Sequence, residues 1–277
     1  MSTTTSKVLT GCGIGCLLAI VLIVGFGWMG YRWARLAADA VESVGQTEAR
    51  LEERFGPVRG FRPPVDGRIP ADRLEAFLMV RESLTAQRTE LEEAIAGLTP
   101  GEGESGMTGG LRAARAGAQM APRALGFSRA RNESMLSADM GFGEYTWIYW
   151  LTYDAWLGNP ADASTLHDVM AERSTSDGSI QFHFGGGMEP ERIAWRLRRD
   201  VTAMLRNLDE DLAADSDLSG LKELVKAELQ ELEADPARIP WEDGLPEEFA
   251  VGLEPYRTRL EATYSPATNP FELLELD

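Results

Sequence analysis

The sequence predicts a mainly α protein: a single N-terminal transmembrane helix followed by a mostly helical extramembrane domain with at most a small β element. Three observations carry that prediction. Residues 8–31, VLTGCGIGCLLAIVLIVGFGWMGY, hold no ionisable group other than two thiols and one phenol. Between residues 72 and 263 apolar residues recur at the three- and four-residue spacing of amphipathic helices. A single run, residues 179–184 (SIQFHF), reads as a strand, and a lone strand needs a hairpin or an edge partner.

The apolar stretch is taken first because it sets the organisation of the rest. As an α-helix it reaches roughly 36 Å, enough to cross a hydrocarbon core with some tilt. Lipid offers the backbone no hydrogen bonds, so helix stays favoured in spite of several glycines. The run is too long for a cleaved signal. Trp28, Tyr31 and Trp33 follow it as an interfacial belt, where amphipathic rings sit at headgroup level. Gly11 and Gly15, and further along Gly27 and Gly30, put small residues on the helix surface and allow close packing with another membrane helix. Lys7 on one side and Arg32 and Arg35 on the other nearly balance. The short tail, residues 1–7, before a large C-terminal domain is the form of a signal anchor. That form puts the domain on the outer, periplasmic side.

Behind the anchor, residues 32–70 form a juxtamembrane helix (32–55) and a Pro/Gly-rich arm (56–70), and residues 71–277 form the extrinsic domain. The arm, GPVRGFRPPVDGRIP, is irregular because its prolines and glycines break both helix and strand. Its Val, Phe and Ile favour an ordered strap over a flexible linker. Residues 72–98 read as one amphipathic helix with Leu74, Leu78, Leu84, Leu91, Ile95 and Leu98 on a stripe. A glycine-rich loop at 99–110 leads to a helix over 111–137, broken or bent at Pro122. A short helix at 161–173 is expected before the strand. Residues 189–214 carry the stripe Ile193, Leu197, Val201, Met204, Leu208 and Leu212, with Pro190 suited to the first turn. Residues 218–232 form the next helix, 236–246 a loop and 247–263 the last helix.

Residues 142–157, FGEYTWIYWLTYDAWL, are the most aromatic soluble stretch. Tyr145, Tyr149 and Tyr153 are four apart, and Gly158-Asn159-Pro160 supplies a stop, so the stretch reads as helix. Two roles fit it. Tyr145, Trp147, Trp150 and Trp156 are partner-binding candidates because Tyr and Trp dominate interface hot spots. The same composition also fits a core helix wedged between others, and a mixture of both is expected.

Charge and motifs exclude more than they assign. The formal charge is −17, and residues 201–277 alone hold 6 basic and 19 acidic groups, a balance of −13. Such a surface repels a phosphate backbone, which argues against nucleic acid as a partner. The two cysteines lie in the anchor, so no disulfide staples the domain. His167 and His183 are the only histidines, and no spacing marks a metal site. Gly185-Gly186-Gly187 lacks the Lys and Ser/Thr of a nucleotide loop. The acidic run at 209–217 lies on a predicted helix, a solvated face and not a calcium loop. Arg192, Arg196, Arg198 and Arg199 form a basic patch that could pair with that run or with a neighbour.

No catalytic residue, cofactor or metal is therefore expected. The expectation is a non-catalytic, membrane-anchored extrinsic subunit that braces or assembles a larger membrane-protein complex. It would contact lipid and partner subunits through the helix, and partners again through the domain. The layout resembles that of accessory subunits of light-harvesting reaction-centre or respiratory assemblies, an analogy of architecture alone. The alternative is a free-standing envelope sensor, assembly chaperone or ligand-binding domain.

Overall fold

The computed structural model describes residues 35, 39, 41–97, 107–159, 190–213, 217–235 and 237–273, without the side chains of 107–118, 190–194 and 270. The predicted anchor with its glycine faces and aromatic belt lies outside the described residues. So do the candidate strand at 179–184 and both histidines. Among the described residues no helix is long and apolar enough to cross a membrane. The chain divides into two units, Met1–Ser43 and Val44–Asp277. The second unit is helical throughout its described regular structure, as the periodicity predicts.

That unit begins with α1 (residues 44–55) and a 3-10 turn at Val58–Gly60. Then come α2 (Ala71–Ser83), α3 (Thr85–Ala96), α4 (Met107–Ser137) and α5 (Phe142–Tyr149), which continues as a π-helix over Trp150–Trp156. After the undescribed stretch follow α6 (Pro190–Leu212), α7 (Ser219–Ala234), α8 (Glu247–Ala250), a 3-10 turn (Glu254–Tyr256), α9 (Arg257–Thr263) and α10 (Asn269–Glu272).

Four expectations are corrected in detail. The helix over 72–98 is two helices. Its ladder is interrupted at Leu84, where the Ser83 and Thr85 hydroxyls donate to the carbonyls of Val80 and Glu82 at 2.7 Å each. Side-chain bonds of this kind compete with the helical ladder. In contrast, the helix expected to break or bend at Pro122 is not broken there, and it starts at Met107, inside the expected loop. Met120 and Phe127 are fully buried on either side, and Arg123 donates to the Glu90 carbonyl at 2.7 Å, so packing offsets the lost backbone bond. The helix expected over 247–263 is broken into α8, a 3-10 turn and α9, with Gly252 at φ +90° between the first two. Finally, α10 was not predicted at all.

The core lies between α2, α4, α5 and the C-terminal pieces, and α3 packs along α4. α6 packs on α7 and also on the 3-10 turn at Val58–Gly60 and on α5, with Leu197, Val201, Met204, Leu205, Leu208 and Leu212 buried on the one helix and Leu221, Val225 and Leu232 on the other. The proline-rich arm is an ordered strap, laid on its own domain. Val58 and Ile69 are buried, and the Asn207 amide of α6 donates to the Arg59 and Phe61 carbonyls at 3.0 and 2.9 Å. Where the strap crosses α5 the contact is backbone on backbone. A Cβ on Gly143 would lie 2.7 Å from the Val58 carbonyl oxygen.

Candidate functional site

The aromatic helix is where the sequence concentrates its chemistry, and the structure turns most of it inward. Tyr145, Tyr149 and Tyr153 are 0% exposed, and Trp147 and Trp150 are 1% exposed. As partner-binding side chains Tyr145, Trp147 and Trp150 are thereby corrected: the chain's own core occupies them. Trp147 meets Trp241 edge-on at 6.0 Å between ring centres, and Trp241 stacks on Phe249 at 4.5 Å. Trp156 differs. It is half-buried, with the Arg257 guanidinium 4.2 Å from its ring centre, and it alone of the four retains a surface.

The spacing of four puts the three tyrosines on one side of the element, and the helix widens within that stretch. From Trp150 the turn widens: the Leu157 amide donates to the Thr152 carbonyl at 3.0 Å, five residues back. The Thr152 hydroxyl takes the Ile148 carbonyl at 2.8 Å. The Tyr149 and Tyr153 rings stand 4.8 Å apart, and Tyr153 reaches Tyr264 at 5.3 Å.

Against these rings lies a charged cluster that sequence reasoning missed. Arg81 of α2 is fully buried, with its guanidinium 5.2 and 5.0 Å from the Tyr149 and Tyr153 ring centres. It forms an ion pair with Glu272 of α10 and donates to the Thr263 carbonyl. The Tyr145 hydroxyl donates to Glu272 at 2.7 Å, and Arg88 stands 3.5 Å from the same carboxylate. Arg131 of α4, also fully buried, donates to the Phe271 and Glu272 carbonyls at 3.0 and 2.8 Å. The Tyr149 hydroxyl donates to Asn269, and Tyr153 and Thr263 share a hydroxyl bond of 2.8 Å.

Burial opposes the charge on Glu272 and on Arg81, and their partners outweigh it. Burial pushes the Glu272 carboxyl up, but Arg81 and Arg88 bring it below the ordinary carboxylate range. Burial works against the Arg81 cation, yet Glu272 and the three phenols hold its pKa well above the usual value. Burial and the Glu272 charge raise Tyr145, and burial likewise raises Tyr149, so both phenols stay neutral. An arginine, a carboxylate and a phenol in line have the makings of acid–base chemistry. Here Arg81, Glu272 and Tyr145 are 0% exposed and bond one another, with the Arg81 Nε left without an acceptor. The arrangement fastens the C-terminal segment to α2, α4 and α5.

A second network clamps a strained turn. Trp241 adopts φ +54°, which is unfavourable for a bulky side chain. Its amide donates to Glu228 at 2.7 Å, and Arg238 pairs with Glu228, Glu231 and Asp243 at 3.4, 2.7 and 2.9 Å. Of the basic patch of α6, Arg198 finds backbone partners and Arg199 bonds the neighbouring Asp200 at 2.8 Å. Arg198 donates to the carbonyls of Leu232, Asp235 and Arg238. The acidic residues Glu210 and Asp211 are taken instead by Arg62 of the strap, at 3.2 and 2.6 Å.

No family description, curated protein or solved structure matches this chain. Among the described residues no group of three or more His, Cys, Asp or Glu is arranged to hold a metal ion.

Proposed function

We propose that this chain is a non-catalytic, single-pass membrane-anchored extrinsic subunit that braces or assembles a larger membrane-protein complex. The observation that carries the reading is the uncharged stretch at residues 8–31, long enough to span a bilayer, joined to a chain that continues as a helical domain. The interior of that domain gives it further support. The ionisable side chains of its central cluster, Arg81 and Glu272 among them, bind one another in the core, as in a rigid scaffold. A rigid body tethered beside its partner works at an effective concentration of about the millimolar range, so weak contacts suffice for assembly. The large domain lies on the outer side in this reading, and the assembly is of a bioenergetic kind by analogy of layout.

Purification of the full chain in mild detergent, with mass spectrometry of the co-purifying chains, tests the reading. A large complex of fixed stoichiometry is expected. A lone monomer overturns it in favour of a free-standing envelope protein.

A further inference from the structure

One concave surface stands apart from the acidic character of the domain. On α6 the residues at positions 195, 199, 202 and 206 follow helical spacing on the side away from the buried stripe: Trp195, Arg199, Thr202 and Arg206. With Arg198 of the same helix and Leu232 and Glu233 of α7 they line a groove of about 190 Å³. Trp195 is 57% exposed, one of few large apolar side chains left to solvent. The Arg199 guanidinium lies 5.0 Å from its ring centre and bonds Asp200 at 2.8 Å. Arg198, anchored on three backbone carbonyls, ties the end of α7 to α6 and keeps the groove in shape.

Two features point to a ligand. Thr202 lines this groove, and its hydroxyl has no hydrogen-bond partner and is closed to solvent, so a turn about the side-chain torsion is what opens it to the groove. Such an atom costs free energy unless something supplies a partner. Arg206 reaches Glu233 only at 4.0 Å, both side chains being more than half exposed, so the pair is weak and exchangeable for another carboxylate.

We propose that this groove docks an acidic peptide segment of a partner protein. The segment seats one large apolar side chain against Trp195 and Leu232. Flanking carboxylates face Arg199 and Arg206, and the Thr202 hydroxyl, turned into the groove, meets a polar atom. Trp and Arg in a partly desolvated pocket are the residues that carry interface energy. The arginines lining the groove give a local complementarity that sets register and selects acidic groups at contact range, against the chain's overall charge of −17. An anionic bilayer fits less well, because it is flat and the domain around the groove repels it. The proposal deepens the bracing-subunit reading and rests on it only in taking the partner to be a protein.

The test pans the full-length chain, immobilised in detergent, against a random peptide library. Peptides with an aromatic, Leu or Met side chain flanked by Asp or Glu are expected to enrich. Their binding should fall at least tenfold on Trp195→Ala and on Arg199→Glu/Arg206→Glu. A peptide with Lys in place of its acidic residues should bind the charge-reversed variant better than the original does, which a misfolded variant would not allow. Failure to enrich such peptides, or binding that survives both variants, overturns the proposal. So does flotation of the chain, held in zwitterionic nanodiscs, with phosphatidylglycerol vesicles if the charge-reversed variant loses it. A variant that still co-purifies with a stoichiometric complex sinks the groove and leaves the subunit reading standing.

Discussion

Replacing Glu272 with Gln probes the fastening of the C-terminus with the least change of shape. The substitution removes one buried negative charge and leaves Arg81 fully buried, with Arg88 nearly so. Arg81 keeps the Thr263 carbonyl and the Tyr145 hydroxyl as acceptors, and the new amide oxygen can accept one bond. Breaking a buried ion pair from one side costs about 3–5 kcal/mol, and the retained acceptors argue for about 3. That is a large part of the roughly 5–15 kcal/mol that holds a domain folded. The double variant Arg81→Met/Glu272→Leu should cost about 2 kcal/mol less than the sum of its singles, because no charge is stranded. Urea unfolding of the full chain in mild detergent, followed by tryptophan fluorescence, measures all four corners. The cost of Glu272→Gln should also shrink in acid. The folded carboxyl titrates below its unfolded value, so its contribution is present above about pH 4.3 and is lost as pH falls through the folded pKa. Additive singles, with Glu272→Gln within about 1 kcal/mol of wild type, would refute the idea that the cluster fastens the C-terminus.

Three further outcomes follow from the packing. Gly143→Ala should destabilise the domain by about 1–3 kcal/mol, because its methyl meets the Val58 backbone and Phe61 Cβ, both at 2.7 Å; thermal melting checks this. Above pH 10 stability should fall by up to about 1.4 kcal/mol per pH unit for each of Tyr145 and Tyr149. Their folded pKa values are raised, so the unfolded chain loses those protons first; phenolate absorbance should show both ionising only with unfolding. Trp147→Ala should cost about 3–5 kcal/mol and Trp156→Ala about 1, read from the same urea curves, since the first is core and the second half-buried.

The helices were legible where a stripe and a stop coincide. α6 and α7 begin and end within two residues of the prediction, because Leu197, Val201, Met204, Leu208 and Leu212 leave one face to bury. Periodicity failed where side chains compete for the backbone. At Leu84 the apolar stripe continues from α2 into α3, so the hydrophobic pattern is blind to the two hydroxyls that interrupt the ladder. At Pro122 local propensity predicts a break or a bend, and the break is absent, with Met120 and Phe127 buried on either side.

The site was less legible, and the reason is physical. A tyrosine- and tryptophan-rich helix has the same composition whether it faces a partner or a core. What decides is whether the chain itself supplies partners for the phenols. Those partners lie far off in sequence: Arg81 on α2, and Thr263, Asn269 and Glu272 near the C-terminus. One signal was present. Leu74, Phe77, Leu78, Arg81 and Leu84 share the buried side of α2 and its end, so an arginine sits where the spacing calls for an apolar residue. A cation on a core stripe requires an anion from elsewhere in the fold. Glu272, set among Phe271 and Leu273, breaks an apolar run in the complementary way. The pairing of two such misfits, one cation and one anion, is what turns the aromatic helix inward. If the chain braces a complex as proposed, the contact is to be sought at Trp156 and on the outer face of α6.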